Sequence, residues 1–382
     1  MRNRPIRLAM AGGGEGSLIG PIHRMAAQLD GHYQLVAGAL SSDLERARES
    51  GLRLGLPEDR AYADFRAMAE QESSRENGAE AVAVVTPNHL HHPMCMEFLG
   101  RGFDVMCDKP LSTSDEQAAE LVQRVHESGR LFGVTYNYTG YPMVREAREM
   151  IREGELGELR LVMVEYVQDW LSLPLERKGH RQAEWRMDPK RAGKGGAVGD
   201  LGSHAHSLVE FVTGRRMEKL SADLHSVVPG RILDDNALIQ FQLKGEIRGH
   251  MWLSQVAVGS RNGLRLRVYG DRAGLWWSQE DPGRLHFAPL GEHPQELAAG
   301  HPSLSHAAAR SCRLPPGHPE GYLEAFANLY RDMAEQFWAR QLCRKPNPAA
   351  MLLPTVEDGA RGVRFVHAAV ASSRAGRAWI EV

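Results

Sequence analysis

Ile6-Arg7-Leu8-Ala9-Met10-Ala11-Gly12-Gly13-Gly14-Glu15-Gly16-Ser17-Leu18-Ile19-Gly20 passes from a short apolar run through a glycine-rich turn toward a helix ending near Leu29. Glycine at the end of such a strand lets the backbone approach a bound pyrophosphate, and the amino terminus of the following helix favours its charge. The usual spacing is G-x-G-x-x-G; here Gly12, Gly14 and Gly20 take those places, with about three extra residues in the loop. Strand-like runs follow at residues 33–40, 81–86, 103–107 and 131–136. Between them, residues 43–50, the four-residue recurrence Leu90, Met94, Phe98, and residues 115–125 read as helices. This alternation predicts a doubly wound parallel sheet, whose ligands bind beyond the carboxyl ends of its strands.

The pattern changes near residue 158. Residues 159–166, 237–243, 247–258, 264–269 and 275–278 read as strands, and 200–212 as a helix. Asn262-Gly263 is a strong hairpin signal between two of those strands. Residues 281–319, rich in Pro, Gly and His, predict an irregular excursion. Tyr322, Phe326, Leu329, Tyr330, Met333 and Phe337 then form the apolar stripe of a helix, read as core packing. The expected organisation is a dinucleotide-binding domain over 1–139 and an α+β domain over 140–382 with a large, mainly antiparallel sheet. One face of that sheet needs a cover. A homo-oligomer, dimer or tetramer, formed through it is the expected solution.

The chain of 382 residues, 42% hydrophobic with a formal net charge of -2, is long enough for two cores and gives no electrostatic case for nucleic acid or an anionic membrane. No apolar run approaches the roughly 20 residues of a bilayer span. Met1-Arg2-Asn3-Arg4-Pro5 lacks the apolar core of a signal peptide, so the expected compartment is the cytoplasm. Cys95, Cys107, Cys312 and Cys343 form no C-x-x-C pair, and the His-rich 281–319 stretch lacks metal-site spacing, so no metal is expected.

Gly199-Asp200-Leu201-Gly202-Ser203-His204 places a carboxylate and an imidazole four residues apart at a helix start, on one helical face. His206 points to the other side. Cys107-Asp108-Lys109-Pro110 ends a strand where a ligand would lie. Lys109, Asp200 and His204 together predict proton transfer at a polarised oxygen; singly, they read as a solvated charge, a helix cap and a structural histidine. At the end of the second strand, Ser41, followed by Ser42, stands where NAD sites usually carry an acid, Asp43 reads as a helix cap, and no arginine sits beside Ser41, although Arg46, one turn on, is within reach of a 2′-phosphate. NAD is favoured and NADP stays open.

These segments resemble the Gfo/Idh/MocA family (glucose–fructose oxidoreductase, inositol dehydrogenase and relatives) over nearly the whole chain. The family pattern of an amino-terminal Rossmann domain, a Glu-Lys-Pro motif and a D-x-G-x-H segment is matched by the glycine turn, Asp108-Lys109-Pro110 and Asp200–His204. Thr86-Pro87-Asn88-His89-Leu90-His91 looks like the family's loop beside the nicotinamide. The sequence departs from the pattern in Asp108 for glutamate, in the longer glycine loop, and in Ser207 where many members carry aspartate. The resemblance implies an α/β Rossmann domain and hydride transfer between a ring secondary alcohol of a sugar, anhydrosugar or inositol and NAD(P). It implies cofactor contacts from Gly12, Gly14, Gly20, Ser41, Ser42, Thr86, Pro87, Asn88, His91, Asp108, Lys109 and Asn137. Tyr138, Gln168, Trp170 and Arg186 would join Lys109, Asp200 and His204 around the substrate. His204 would take the hydroxyl proton, Lys109 would support the same oxygen, and Asp200 would bind a neighbouring hydroxyl. A glycosidase that retains NAD and a cofactor-sensing regulator are the alternatives on this fold.

Overall fold

In the computed structural model, which describes residues 4–382, β1 (Ile6–Gly12) buries Ile6, Leu8, Ala9, Met10 and Ala11. The signal-peptide reading involves Met1 to Asn3, which lie outside the described residues. The chain continues through α1 (Ile19–Leu29), β2 (Tyr33–Ala39), α2 (Leu44–Arg53), α3 (Phe65–Ser74), β3 (Ala81–Val85), α4 (His91–Gly100), β4 (Asp104–Cys107), α5 (Asp115–Ser128) and β5 (Phe132–Val134). The strands pair in the order β2-β1-β3-β4-β5, all parallel. β3 is Ala-Val-Ala-Val-Val and buried throughout, as expected of a strand covered on both faces. Because β1 and β3 are neighbours whose connections depart in opposite directions, a topological switch point opens at their carboxyl ends. Side chains start two helices where the sequence suggested: Asp43 accepts the Arg46 amide (2.8 Å) at the start of α2, and Ser114 accepts the Gln117 amide (3.3 Å) at the start of α5.

The remaining elements are α6 (Pro142–Arg152), β6 (Leu159–Val167), the short α7 (Arg181–Arg186) and α8 (Pro189–Ala192), α9 (Ser203–Thr213), β7 (Met217–His225), β8 (Asn236–Leu243), β9 (Ile247–Ser254), β10 (Gly263–Gly270), β11 (Ala273–Ser278), β12 (Arg284–Pro289), β13 (Gln295–Ala298), α10 (His306–Ala309), α11 (Tyr322–Gln341), α12 (Val356–Arg374) and β14 (Ile380–Glu381). Contacts divide the chain into a unit that ends at Asn137 and includes Leu323–Ala360, and a unit of Tyr138–Tyr322 with Arg361–Val382. Residues 323–360, placed with the second domain from sequence, thus group with the first. The cause is local. From α11, Tyr330 meets the Tyr33 ring at 5.3 Å and the buried His23 Nδ1 at 2.7 Å, and Arg340 clamps Asp104 at 2.9 and 2.5 Å.

The second unit carries a nine-stranded sheet in the order β13-β12-β11-β10-β6-β9-β8-β7-β14, antiparallel except where β6 pairs with β9. Two sequence expectations change here. Asn262-Gly263 does not close a hairpin between β9 and β10, because β6 lies between them. The 281–319 stretch is not wholly irregular: β12 and β13 extend the sheet, and α10 follows with Ser305 as its cap. One sheet face packs under α6 and α9. The other leaves Leu161, Met163, Leu238 and Trp252 exposed among charged neighbours such as Arg265 and Arg267, over a shallow hollow of about 510 Å³. No helix of the described residues is long and apolar enough to cross a membrane.

Candidate active site

In the first unit the glycine turn lies against the ends of the neighbouring strands. Gly12 has φ +81°, and a Cβ there would sit 2.3 Å from the Val85 carbonyl oxygen, so no side chain fits. A Cβ on Gly14 would lie 2.5 Å from the Leu40 oxygen, and one on Gly20 would lie 2.2 Å from the Gly13 oxygen. Arg24 of α1 holds the Gly13 carbonyl at 2.6 Å. The first turn of α1 contains no acidic residue, and Ser17 Oγ accepts the Gly20 amide. Glu15, in the lengthened part of the loop, is tied away by an ion pair with Arg53. At the end of β2, Ser41 Oγ accepts the Asp43 amide at 3.1 Å, and Asp43 is spent as the α2 cap.

Two of the expected cofactor contacts have other work. His91 is fully buried, with Nδ1 2.7 Å from the Pro110 oxygen and Nε2 2.9 Å from the Thr86 oxygen. It ties the Thr86-Pro87-Asn88 turn to the segment after Lys109 and has no edge for a ligand. Burial pulls its pKa down, against the Asp108 charge and the two carbonyls. Asp108 Oδ1 accepts Thr135 Oγ1 (2.5 Å) and the Lys109 amide (3.2 Å), and lies 3.9 Å from His23 Nε2. Burial pushes this carboxyl up, but His23, Thr135 and His91 outweigh it and hold Asp108 well below the usual range. Asp108 therefore anchors the strand end that carries Lys109. Asn137 is buried, and its Nδ2 donor has no hydrogen-bond partner among the described residues. An orphaned amide donor, a turn that excludes Cβ atoms and a helix start without acids fit a dinucleotide.

The second unit brings together most of the expected substrate residues. Asp200 lies in a widened π-helical turn, Val198–Gly202, that runs directly into α9, and His204 is on the first turn of α9. The turn is pinned by Asp234, whose carboxylate accepts the Gly196 and Val198 amides at 2.7 and 2.8 Å. The buried His204 ring meets the edges of Tyr138 (4.8 Å, 75°) and Tyr166 (6.2 Å, 60°). Tyr138 bonds Tyr166 through their hydroxyls at 2.5 Å, so it faces His204 with its ring and its hydroxyl is already engaged. Burial pushes both phenols up, which keeps them protonated. Arg186 Nε stands 3.6 Å from Asp200 Oδ2, with Nη1 held by Gln182 at 2.6 Å and the guanidinium over Trp185. Trp170 packs beside Leu171, Ala183 and Met187, 6.0 Å from the Arg186 carbon. Gln168, half-buried, follows β6. His206 is buried against Phe365 (4.8 Å) and Glu210, which makes it a core residue.

Residues 6–136 match the model of an oxidoreductase family with an NAD-binding Rossmann fold, and residues 144–276 match a GFO/IDH/MocA C-terminal domain. The oxidoreductase YfiI of Bacillus subtilis (strain 168) is 32% identical over 382 residues, 99% of this chain and 97% of the relative. The chain belongs to the Gfo/Idh/MocA oxidoreductase family. An inositol dehydrogenase homolog from Azotobacter vinelandii, solved with NAD+, superposes with a TM-score of 0.94 at 38% identity, covering 100% of this chain and 98% of that one. The same protein solved with NADH and myo-inositol gives 0.91 at 37%, with the same coverage.

Three side chains packed beside the expected residues of the two units escaped the sequence reading. Gln255, fully buried after β9, donates Nε2 to Asp200 Oδ2 at 3.0 Å. Asn262 accepts Tyr166 Oη (2.8 Å) and Gln168 Nε2 (2.7 Å) on one oxygen. His23 joins Asp108 to Tyr330 across 307 positions of sequence. A polar residue at the end of an otherwise apolar strand was the available signal for Gln255. For Asn262 the turn signal concealed the contact, and for His23 the only sign was a histidine on a buried helix face.

Proposed function

We propose that the protein reversibly oxidises a ring secondary alcohol of a sugar, anhydrosugar or inositol, with NAD as its cofactor. The observation that carries this reading is the placement of Asp200 and His204 on successive turns at the start of α9, with Gln255 and Arg186 beside the carboxylate. His204 takes the hydroxyl proton; an imidazole titrates near neutral pH, and its seat between two tyrosine ring edges limits access of water. Asp200 accepts from a neighbouring hydroxyl. Lys109, set at the strand end that Asp108 anchors, supports the substrate oxygen as negative charge builds. Trp170 offers an apolar face to the ring, and Gln168 reads a further hydroxyl. Bound NAD supplies the hydride acceptor. Gly12, Gly14 and Gly20 receive its pyrophosphate, Ser41 and Ser42 its adenosine ribose, and Thr86, Pro87, Asn88 and Asn137 its nicotinamide end. NAD is favoured over NADP because no arginine stands directly beside Ser41, the nearest being Arg46 one turn into α2, and the Azotobacter vinelandii homolog was solved with NAD+.

The test is NADH formation from a panel of inositols and sugars by the wild type, Lys109→Ala and His204→Ala. Both variants should lose turnover while still quenching on NADH titration. Normal turnover in either variant rejects the role of the residue it replaces. A second copy of the chain covering the exposed Leu161, Met163, Leu238 and Trp252 is the proposed assembly, and the four free thiols support a cytoplasmic setting.

A further inference from the structure

Three amides leave one end of the large sheet side by side. Gln168 follows β6, Gln255 follows β9 and Asn262 precedes β10. β6 lies between the other two strands, and Val167 at its end is paired with both Ser254 and Gly263. Gln255 gives its Nε2 to Asp200. The oxygen of Asn262 receives Tyr166 and Gln168 together, and Tyr138 in turn bonds Tyr166. The amide nitrogen of Gln168 is thus committed inward, 2.7 Å from Asn262 Oδ1 and 3.5 Å from Tyr166 Oη. Its Oε1 takes no hydrogen bond from the described residues, and the side chain is partly exposed.

We propose that Asn262 sets substrate selectivity by locking the Gln168 amide with its carbonyl oxygen toward the substrate, so that the pocket selects neutral polyols over phosphorylated or carboxylated sugars. This rests on the polyol reading above. Gln168 Oε1 and the Asp200 carboxylate are acceptors, so each is satisfied by a hydroxyl donor. A phosphate or carboxylate is acceptor-only at neutral pH and leaves them facing like groups. Of the two cations assigned to the substrate, Arg186 is turned to Asp200 and Gln182, and Lys109 is given to the reacting oxygen in the reading above, which leaves neither for a second anionic group. A site built to bond a hydroxyl rejects the analogue that lacks it far more strongly than an apolar pocket rejects an extra methylene.

The experiment measures kcat and KM with NAD for the wild type, Asn262→Leu, Asn262→Asp, Gln168→Leu and the double Asn262→Leu, Gln168→Leu variant. The substrates are myo-inositol, glucose, their monodeoxy analogues, glucose 6-phosphate and glucuronate. NADH titration of each variant checks the fold. Asn262→Leu should lower kcat/KM for the best neutral substrate about tenfold, through KM, and leave one monodeoxy analogue unchanged, the scale of one lost hydrogen bond. Asn262→Asp keeps an acceptor for Gln168 and Tyr166 and should retain selectivity. The double variant should lose less than the product of the two single losses, because the Gln168–Asn262 bond is removed by either change and only the Tyr166 and Tyr138 bonds of Asn262 are lost in addition. An equal loss on every substrate in an active Asn262→Leu, or better use of the phosphate or the acid than of the neutral sugar by the wild type, overturns the assignment alone. Failure of the wild type to reduce NAD with any of these substrates overturns the polyol reading with it.

Discussion

Asp234 accepts the Gly196 and Val198 amides with its two oxygens while burial raises its pKa from 3.8 to about 6. The raised value sets the sign of the pH dependence. Between 3.8 and about 6 the folded protein holds a proton that the unfolded chain releases, so this carboxyl's contribution to stability is full below that window and is lost as pH rises through it. Asp234→Asn should flatten the melting temperature against pH across that interval. It should also lower kcat about tenfold, since one of two amides beneath Asp200 loses its acceptor; a pH series of thermal melts and steady-state rates checks both. The placement of Asp200 and His204 on adjoining turns could be read from sequence because it follows from their spacing. Gln255 and Asn262 could not, because their partners come from strands that are neighbours in space and not in sequence.

Among the elements, α9 and the glycine turn carry the sharpest consequences. Glu210, buried on the far side of α9, binds Arg216 and Arg361 (2.9 Å each) and the Met217 amide (2.9 Å). Burial raises this carboxyl's pKa, but His206, Met217 and Arg361 outweigh the effect and hold it well below the carboxylate range. A depressed folded value gives stability that is present above the ordinary 4.5 and lost as pH falls. Glu210→Gln should cost about 3 kcal/mol at neutral pH, measured by denaturant melts. Gly20→Ala would drive a Cβ into the Gly13 carbonyl, 2.2 Å away, and should weaken NADH binding at least about tenfold in a fluorescence titration. The alternating strands and helices of the first unit were legible because each declares itself within a few residues. The hairpin expected at Asn262-Gly263 failed because a local turn signal carries no information on which strand lies alongside.

For the molecule as a whole, the open sheet face is where the proposed second copy would sit. Met163 and Leu238 are 43% and 52% exposed there beside Trp252. A Met163→Glu, Leu238→Glu variant should elute at monomer mass in light-scattering chromatography, whereas the wild type should not. The open face was foreseen from the strand-rich second half, since such a sheet has two faces and one layer of helices.

Completion of the first unit waits on its distant segment. Val134 donates to Pro354, Tyr33 donates to the Tyr330 backbone, and Arg340 neutralises the buried Asp104. During synthesis, the ribosome must release almost the entire chain before these groups can meet. A nascent polypeptide stalled after residue 137 would lack the Tyr330 partner of His23 and the Arg340 partner of Asp104, so the nucleotide fold is completed late although it is encoded first.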